Sequence, residues 1–133
     1  MVQEIREVFA TDSRTLISFY LKQDNTTGVA TAADLTGLTS GAVKFELWNA
    51  ATGVETLAAT ATGVTFSADS TGLANYQFAT PMEIAAGYYY GYFLLTVSGK
   101  TDHFPKNTGE LLVKVSTHAQ TAKAAYEAAV ATL

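Results

Sequence analysis

The residues of this chain with the means for acid–base or metal chemistry are few: His103, His118 and a scatter of carboxylates beside turns. His103 follows Asp102 directly, and histidine with an orienting carboxylate is the pairing a general base needs. Neighbours along a strand point to opposite faces, however, so Asp102 and His103 do not form that pair if the segment is extended. His118 falls where the first turn of a helix is expected, and two histidines alone are too few for a zinc centre. Asp24, Asp34, Asp69 and Asp102 have the right chemistry for calcium, but DNTTG and DSTG lack the alternating acids of an EF-hand loop. Aspartate and serine in such positions hydrogen-bond their own turns. No G-x-S-x-G elbow, H-E-x-x-H helix or phosphate-cradling glycine loop occurs. Paired carboxylates for glycoside hydrolysis are present in number, yet nothing marks a cleft between two of them. There is no cysteine, which removes disulfides, thiolate ligands and thiol nucleophiles. The expectation is a protein without catalytic residues, cofactor or metal.

Composition narrows the class further. The 133 residues are 48% apolar and 15% charged, enough for one domain with a real core. The net charge of −4 and eight scattered basic residues argue against a nucleic-acid surface, which needs a dense Lys/Arg footprint. Glu4, Arg6 and Glu7 interrupt the first residues where a secretory signal needs an apolar run. No window approaches the ~20 apolar residues of a membrane-spanning helix. These features predict a soluble domain made in the cytoplasm.

The elements available to position side chains are mostly strands. Residues 14–23 (RTLISFYLKQ) alternate, with Ile17, Phe19 and Leu21 on one face, and DNTTG ends the run. After a long small-residue loop, residues 42–49 (AVKFELWN) set Val43, Phe45 and Leu47 against Lys44, Glu46 and Trp48. Strands are expected at 54–60 and 63–68, then at LANYQF, where Ala74, Tyr76 and Phe78 share a face and Pro81 prevents continuation. GYYYGYFLLTV (87–97), TDHF, a turn at KNTG and LLVKV (111–115) complete the series. THAQTAKAAYEAAVATL is alanine-rich without Gly or Pro and reads as a helix, with Thr117 as N-cap and Gln120 as its capping-box partner. Ala122, Tyr126, Ala129, Val130 and Leu133 fall on one side of it, and a helix this short needs something to dock on. The first residues, VQEIREVFA, fit an arm, an edge strand or one helical turn.

This is the pattern of an all-β sandwich of about seven strands, immunoglobulin-like and Greek-key in its spacing, with a C-terminal helix. A barrel has the same strand count. The domains expected are an N-terminal arm or edge strand (1–12), the sandwich (13–116) and the helix (117–133). Within 87–97, Tyr89, Gly91, Phe93, Leu95 and Val97 are the expected core face. Tyr89 is placed like the tyrosine that bonds back to the chain at a corner of such folds.

The run DLTGLT at 34–39, the strand VKFELWN, AGYYYGYF, a glycine turn before FP and a last LLVKV together resemble immunoglobulin-like domains of tailed-phage virion proteins. The N-terminal domain of phage baseplate upper proteins and small head and tail modules share that pattern, and the resemblance spans residues 14–115. It implies a structural or adaptor role in a phage particle, with no catalytic residues to carry over. The chain departs from it at the outward positions of 87–97, which such domains usually make polar. Here they are Tyr88, Tyr90, Tyr92 and Leu94. If strands 42–49, 87–97 and 111–115 share a sheet, Trp48 and Leu112 join them in one amphipathic patch. Three occupants compete for it: the chain's own helix, another protein, or a carbohydrate stacked on the rings. Glu46, Lys44 and Thr96 are the polar groups on hand for a sugar. The expected function is capsid decoration or cementing, since one sandwich with short ends suits a lattice-reinforcing module. Ile5, Val8 and Phe9 of the arm and Tyr126 and Leu133 of the helix would reach neighbouring subunits, the major capsid protein above all, or a like subunit. The alternatives are a neck, tail or baseplate adaptor of the same fold and a carbohydrate-binding adhesion module.

Overall fold

Alternating apolar residues settle into eleven strands and one helix in a computed structural model that describes residues 2–10, 16–24, 30–79, 84–105 and 109–132. The strands are β1 (Val2–Phe9), β2 (Leu16–Tyr20), β3 (Lys22–Asp24), β4 (Ala30–Ala32), β5 (Val43–Asn49) and β6 (Glu55–Thr60). They continue with β7 (Val64–Phe66), β8 (Leu73–Gln77), β9 (Gly87–Val97), β10 (Lys100–Phe104) and β11 (Gly109–Ser116), and helix α1 (His118–Ala131) follows. The larger sheet runs β1-β11-β9-β5-β6, with β10 also paired to β9; the smaller runs β2-β8-β7. β3 and β4 form a separate two-stranded ladder.

The two sheets make a β-sandwich because each strand turns one apolar face inward. Val43, Phe45, Leu47, Tyr89, Phe93 and Leu95 of the larger sheet meet Ile17, Phe19, Ala74 and Tyr76 of the smaller, all buried. Rings lock the layers together: Phe45 stacks on Tyr76 at 4.5 Å between centroids, and Phe19 lies parallel to Phe93 at 6.1 Å. Each such side chain is worth ~1.5–3 kcal/mol relative to exposure. Gly91 has a positional role. A Cβ there would sit 3.1 Å from the Phe45 ring and 3.3 Å from Leu111, so the missing side chain is what lets that ring lie against β9.

Four features differ from the sequence expectation. Residues 14–23 are not one strand, because the chain changes partner at Leu21. The Leu21 amide donates to Gly72 O at 2.7 Å, and the Ala33 amide donates to Leu21 O at 2.8 Å, which hands the chain from β8 to β4. The loop after it therefore contains β4, and it buries Ala33 and Leu35. The N-terminal residues take the edge-strand form, one of the expected alternatives, as β1 parallel to β11 in the register Val2↔Gly109 to Phe9↔Ser116, and the difference lies in Val8. Val8 is consequently core, opposite Val115, and is not available to a neighbouring subunit. Val97 is 43% exposed instead of buried, since it lies at the end of β9 beside the Ser98–Gly99 hairpin turn. The turns at DNTTG and KNTG, Pro81 and Leu133 lie wholly or mostly outside the described residues.

Candidate functional site: the outer face of the larger sheet and the helix beside it

The outward positions of β9 are flanked by outward positions of three other strands. Ile5 pairs with Leu112, Leu112 with Tyr90, and Tyr90 with Trp48, so four apolar side chains stand in one row across β1, β11, β9 and β5. Three inter-strand gaps make that row roughly 14 Å long. Trp48, Tyr90, Tyr92, Leu94 and Leu112 shield one another and are half-buried, while Tyr88 is 52% and Ile5 57% exposed.

A second row is polar. Glu7 pairs with Lys114 and Lys114 with Tyr88. Lys114 Nζ stands 3.5 Å from Glu7 Oε2 and 5.8 Å from the centre of the Tyr88 ring, and Ser116 Oγ donates to Glu7 Oε2 at 2.9 Å. These contacts fix Tyr88 at the end of the face nearest the helix.

Tyr92 is the chemically busiest position. Glu46 is its partner across β5, and His103, opposite Leu94 on β10, turns its ring edge-on to Tyr92 with 6.3 Å between centroids. His103 Nε2 also lies 3.5 Å from Glu46 Oε1, so the histidine bridges over β9. The Tyr92 phenol is held above its ordinary value of 10.0, first by burial and then by the carboxylates of Glu110 and Glu46 and by Tyr90. It therefore stays a neutral donor across the physiological range. Glu46 is only 7% exposed, which the alternation of its strand does not foretell, and Glu110 enters the group through the β11 register. Neither can be placed beside Tyr92 until the pairing of β5 and β11 on β9 is known.

The chain's own helix does not cover this face. The described side chains of α1, from Ala122 to Ala131, are all exposed, Tyr126 at 70%. Between the helix and the sheet is an open cleft of about 820 Å³, lined on the helix side by Lys123, Ala124, Ala125 and Glu127 and on the sheet side by Tyr88, Lys114 and Glu7 among others. Lys123 and Glu127 pair with each other along the helix. Of the arm residues, Ile5 reaches the outer face and Phe9 is partly buried at the end of β1.

The carboxylate that His103 meets is Glu46 and not the neighbouring Asp102. Asp102 pairs with Leu95 and His103 with Leu94, on opposite faces as alternation requires. Asp34 Oδ1 accepts from the Thr36 amide at 3.0 Å and hydroxyl at 2.6 Å, and Asp69 Oδ1 accepts from Thr71 at 2.9 and 2.6 Å in the same way. Those bonds hold both carboxyls below the ordinary value of 3.8. Among the described residues no group of three or more metal-ligating side chains converges, and no helix is long and apolar enough to cross a membrane. Helix α1 begins at His118, directly after Thr117. No protein-family model matches the chain, and no curated protein matches it.

Proposed function

We propose that the chain is a non-enzymatic structural module of a tailed-phage virion, most simply a capsid decoration protein. Its fold in this reading is an immunoglobulin-like Greek key. The strand order β1-β11-β9-β5-β6 facing β2-β8-β7 supports that topology. So does the Tyr89 hydroxyl, which donates to Ala85 O at 2.7 Å in the manner of a tyrosine corner. The phage context itself is carried by the sequence resemblance across 14–115.

The observation that carries the function is the uncovered outer face. Ile5, Leu112, Tyr90 and Trp48 form a continuous apolar row that the chain's own helix leaves open. Aromatic rows of this kind, half-shielded and rimmed by Glu7, Lys114 and Lys44, are the composition of a protein contact with an apolar centre and a polar rim. The major capsid protein is the partner that fits a decoration role, and a neck, tail or baseplate adaptor uses the same surface at lower copy number. Co-sedimentation with phage heads lacking the protein tests it. The wild-type chain is expected to sediment with the heads, and Tyr90→Ser/Tyr92→Ser to lose about tenfold or more of that binding while losing only about 1 kcal/mol of stability per position. Undiminished binding by the double variant would remove the face from the account.

One observation favours a second reading, adhesion through carbohydrate. Tyr92 stands among Glu46, Glu110 and His103, so a ring is flanked by the planar acceptors and a donor that sugar hydroxyls use. A shift in gel filtration on adding host polysaccharide, abolished by Tyr92→Ser, is its signature.

A further inference from the structure

The two sheets end side by side. β1 is the last strand of the larger sheet and β2 of the smaller, and the two touch across the open side of the sandwich. Their registers tell which backbone groups each ladder leaves over. The Leu21 amide donates to Gly72, directly opposite it in the β2–β8 register, so Ile17 and Phe19 bond to β8 as well. Leu16, Ser18 and Tyr20 then turn their amides and carbonyls away from β8. The Ala10 amide donates to Ser116 O, so Val8 and Arg6 bond to β11, while Glu7 and Ile5 turn their backbone groups away from it. Arg6 shares the face of β1 that carries the buried Val8, so its side chain sets out inward at the rim of the sandwich. Its guanidinium reaches one leftover carbonyl on each strand. Nε donates to Ser18 O at 3.2 Å and Nη1 to Ile5 O at 3.4 Å.

The edge of β2 is the one that needs protection. LISFY (Leu16–Tyr20) has four large apolar or aromatic residues around a serine, with no charge, proline or glycine. Leu16 is 55% and Tyr20 52% exposed. A strand of this kind is a template for pairing with another chain. We propose that Arg6 blocks self-association through β2, and that the strand it holds off is β2 of a second copy. The segment is complementary to itself when run antiparallel about a two-fold axis at Ser18. Leu16 then lies opposite Tyr20 and Ile17 opposite Phe19, each pair occurs twice, and no charges meet. The hydrogen-bonded pairs of that ladder are those whose groups point outward, Leu16 with Tyr20 and Ser18 with Ser18. The central bonds thus require the Ser18 carbonyl, the group that Arg6 occupies. An inward-pointing charge at a sheet edge is a known device against such pairing. The planar guanidinium fork serves both strands at once, which the compact ammonium of a lysine does not.

Sedimentation of the full chain over a concentration series tests the assignment. The parent is expected to stay at 14.1 kDa at concentrations where Arg6→Ala approaches twice that mass or more, with a dissociation constant about tenfold or more lower. Ser18→Lys added to Arg6→Ala should return the chain to monomer, because two like charges would face each other on the axis. Association through unfolded chains would be indifferent to that change. Arg6→Lys keeps the charge and the stem without the fork and is expected to associate to an intermediate degree. It carries the same test should Arg6→Ala fail to fold. Tyr90→Ser/Tyr92→Ser should alter none of this, which separates the β2 edge from the outer face of the larger sheet. Arg6 variants that associate no more than the parent, or association that Ser18→Lys does not reverse, would overturn the proposal.

Discussion

The two faces of β9 are built from the same residue types and end in different states. Inward, Tyr89, Phe93 and Leu95 are fully enclosed, and each aromatic ring has a ring or a carbonyl from this chain to meet. Outward, Tyr88, Tyr90, Tyr92 and Leu94 lean on one another and on Trp48 and Leu112 but remain half-open. Alternation decides which side chains share a face. It does not decide which face is core. That depends on whether a second layer lies over it, and here the smaller sheet covers one side while α1 stands clear of the other. An aromatic strand is thus core on one side and interface on the other for a reason that lives in topology.

The sharpest way to break this contrast is to empty one side of it. Phe93→Ala removes a ring that packs against both Phe19 and Phe45, and it should cost ~3–5 kcal/mol in denaturant unfolding. The outer neighbour Tyr92 should cost far less on truncation, as its proposed task is contact and not enclosure. Equal losses at the two positions would mean that the outer face is a second core and that its cover has been missed.

A smaller effect is expected where the inner face is already full. Gly91→Ala adds a Cβ 3.1 Å from the Phe45 ring, which is itself wedged against Tyr76 and Phe93. Overpacking of this kind costs ~1–3 kcal/mol. A thermal melt unchanged by the substitution would show that the inner layer has slack, and the contrast between the faces would soften accordingly.

Much of this was legible in the sequence and the rest has identifiable reasons. VKFELWN, LANYQF and GYYYGYFLL declare their inner faces by strict alternation, and Phe45, Tyr76, Phe78, Tyr89 and Phe93 are buried accordingly. The partner change at Leu21 was not legible, because alternation continues through a residue that switches ladders. VQEIREVFA was ambiguous because Glu4, Arg6 and Glu7 obscure its period, and only pairing with β11 places Val8 inside. The apolar row of the candidate site follows from alternation once strands are paired. Its polar members do not: Glu46 and Glu110 look like ordinary solvent-facing carboxylates until the register puts both near Tyr92. The helix was recognisable from composition, whereas its standing clear of the sheet is a tertiary fact.

Acid offers the finest separation of the two faces, through groups that belong to neither. Asp34 and Asp69 each accept two bonds from a threonine two residues on, and the Leu35 amide donates to Asp69 O at 2.8 Å, so the two turns are stitched together at one end of the core. Folding lowers both carboxyl values below the unfolded 3.8 because the ionised form accepts those bonds. A group depressed in the folded state contributes stability that is fully present above its unfolded value and is lost as pH falls through the folded one. The two turns should therefore weaken below about pH 4, and Asp34→Asn with Asp69→Asn should flatten that part of the stability profile while changing little at neutral pH. Both carboxyls are fully exposed, so the effect is the smallest of those expected. Stability measured by denaturant unfolding at pH 3 and pH 7 for the double variant and the parent decides it. If the acid-dependent loss persists undiminished in the variant, the two turns are not its source.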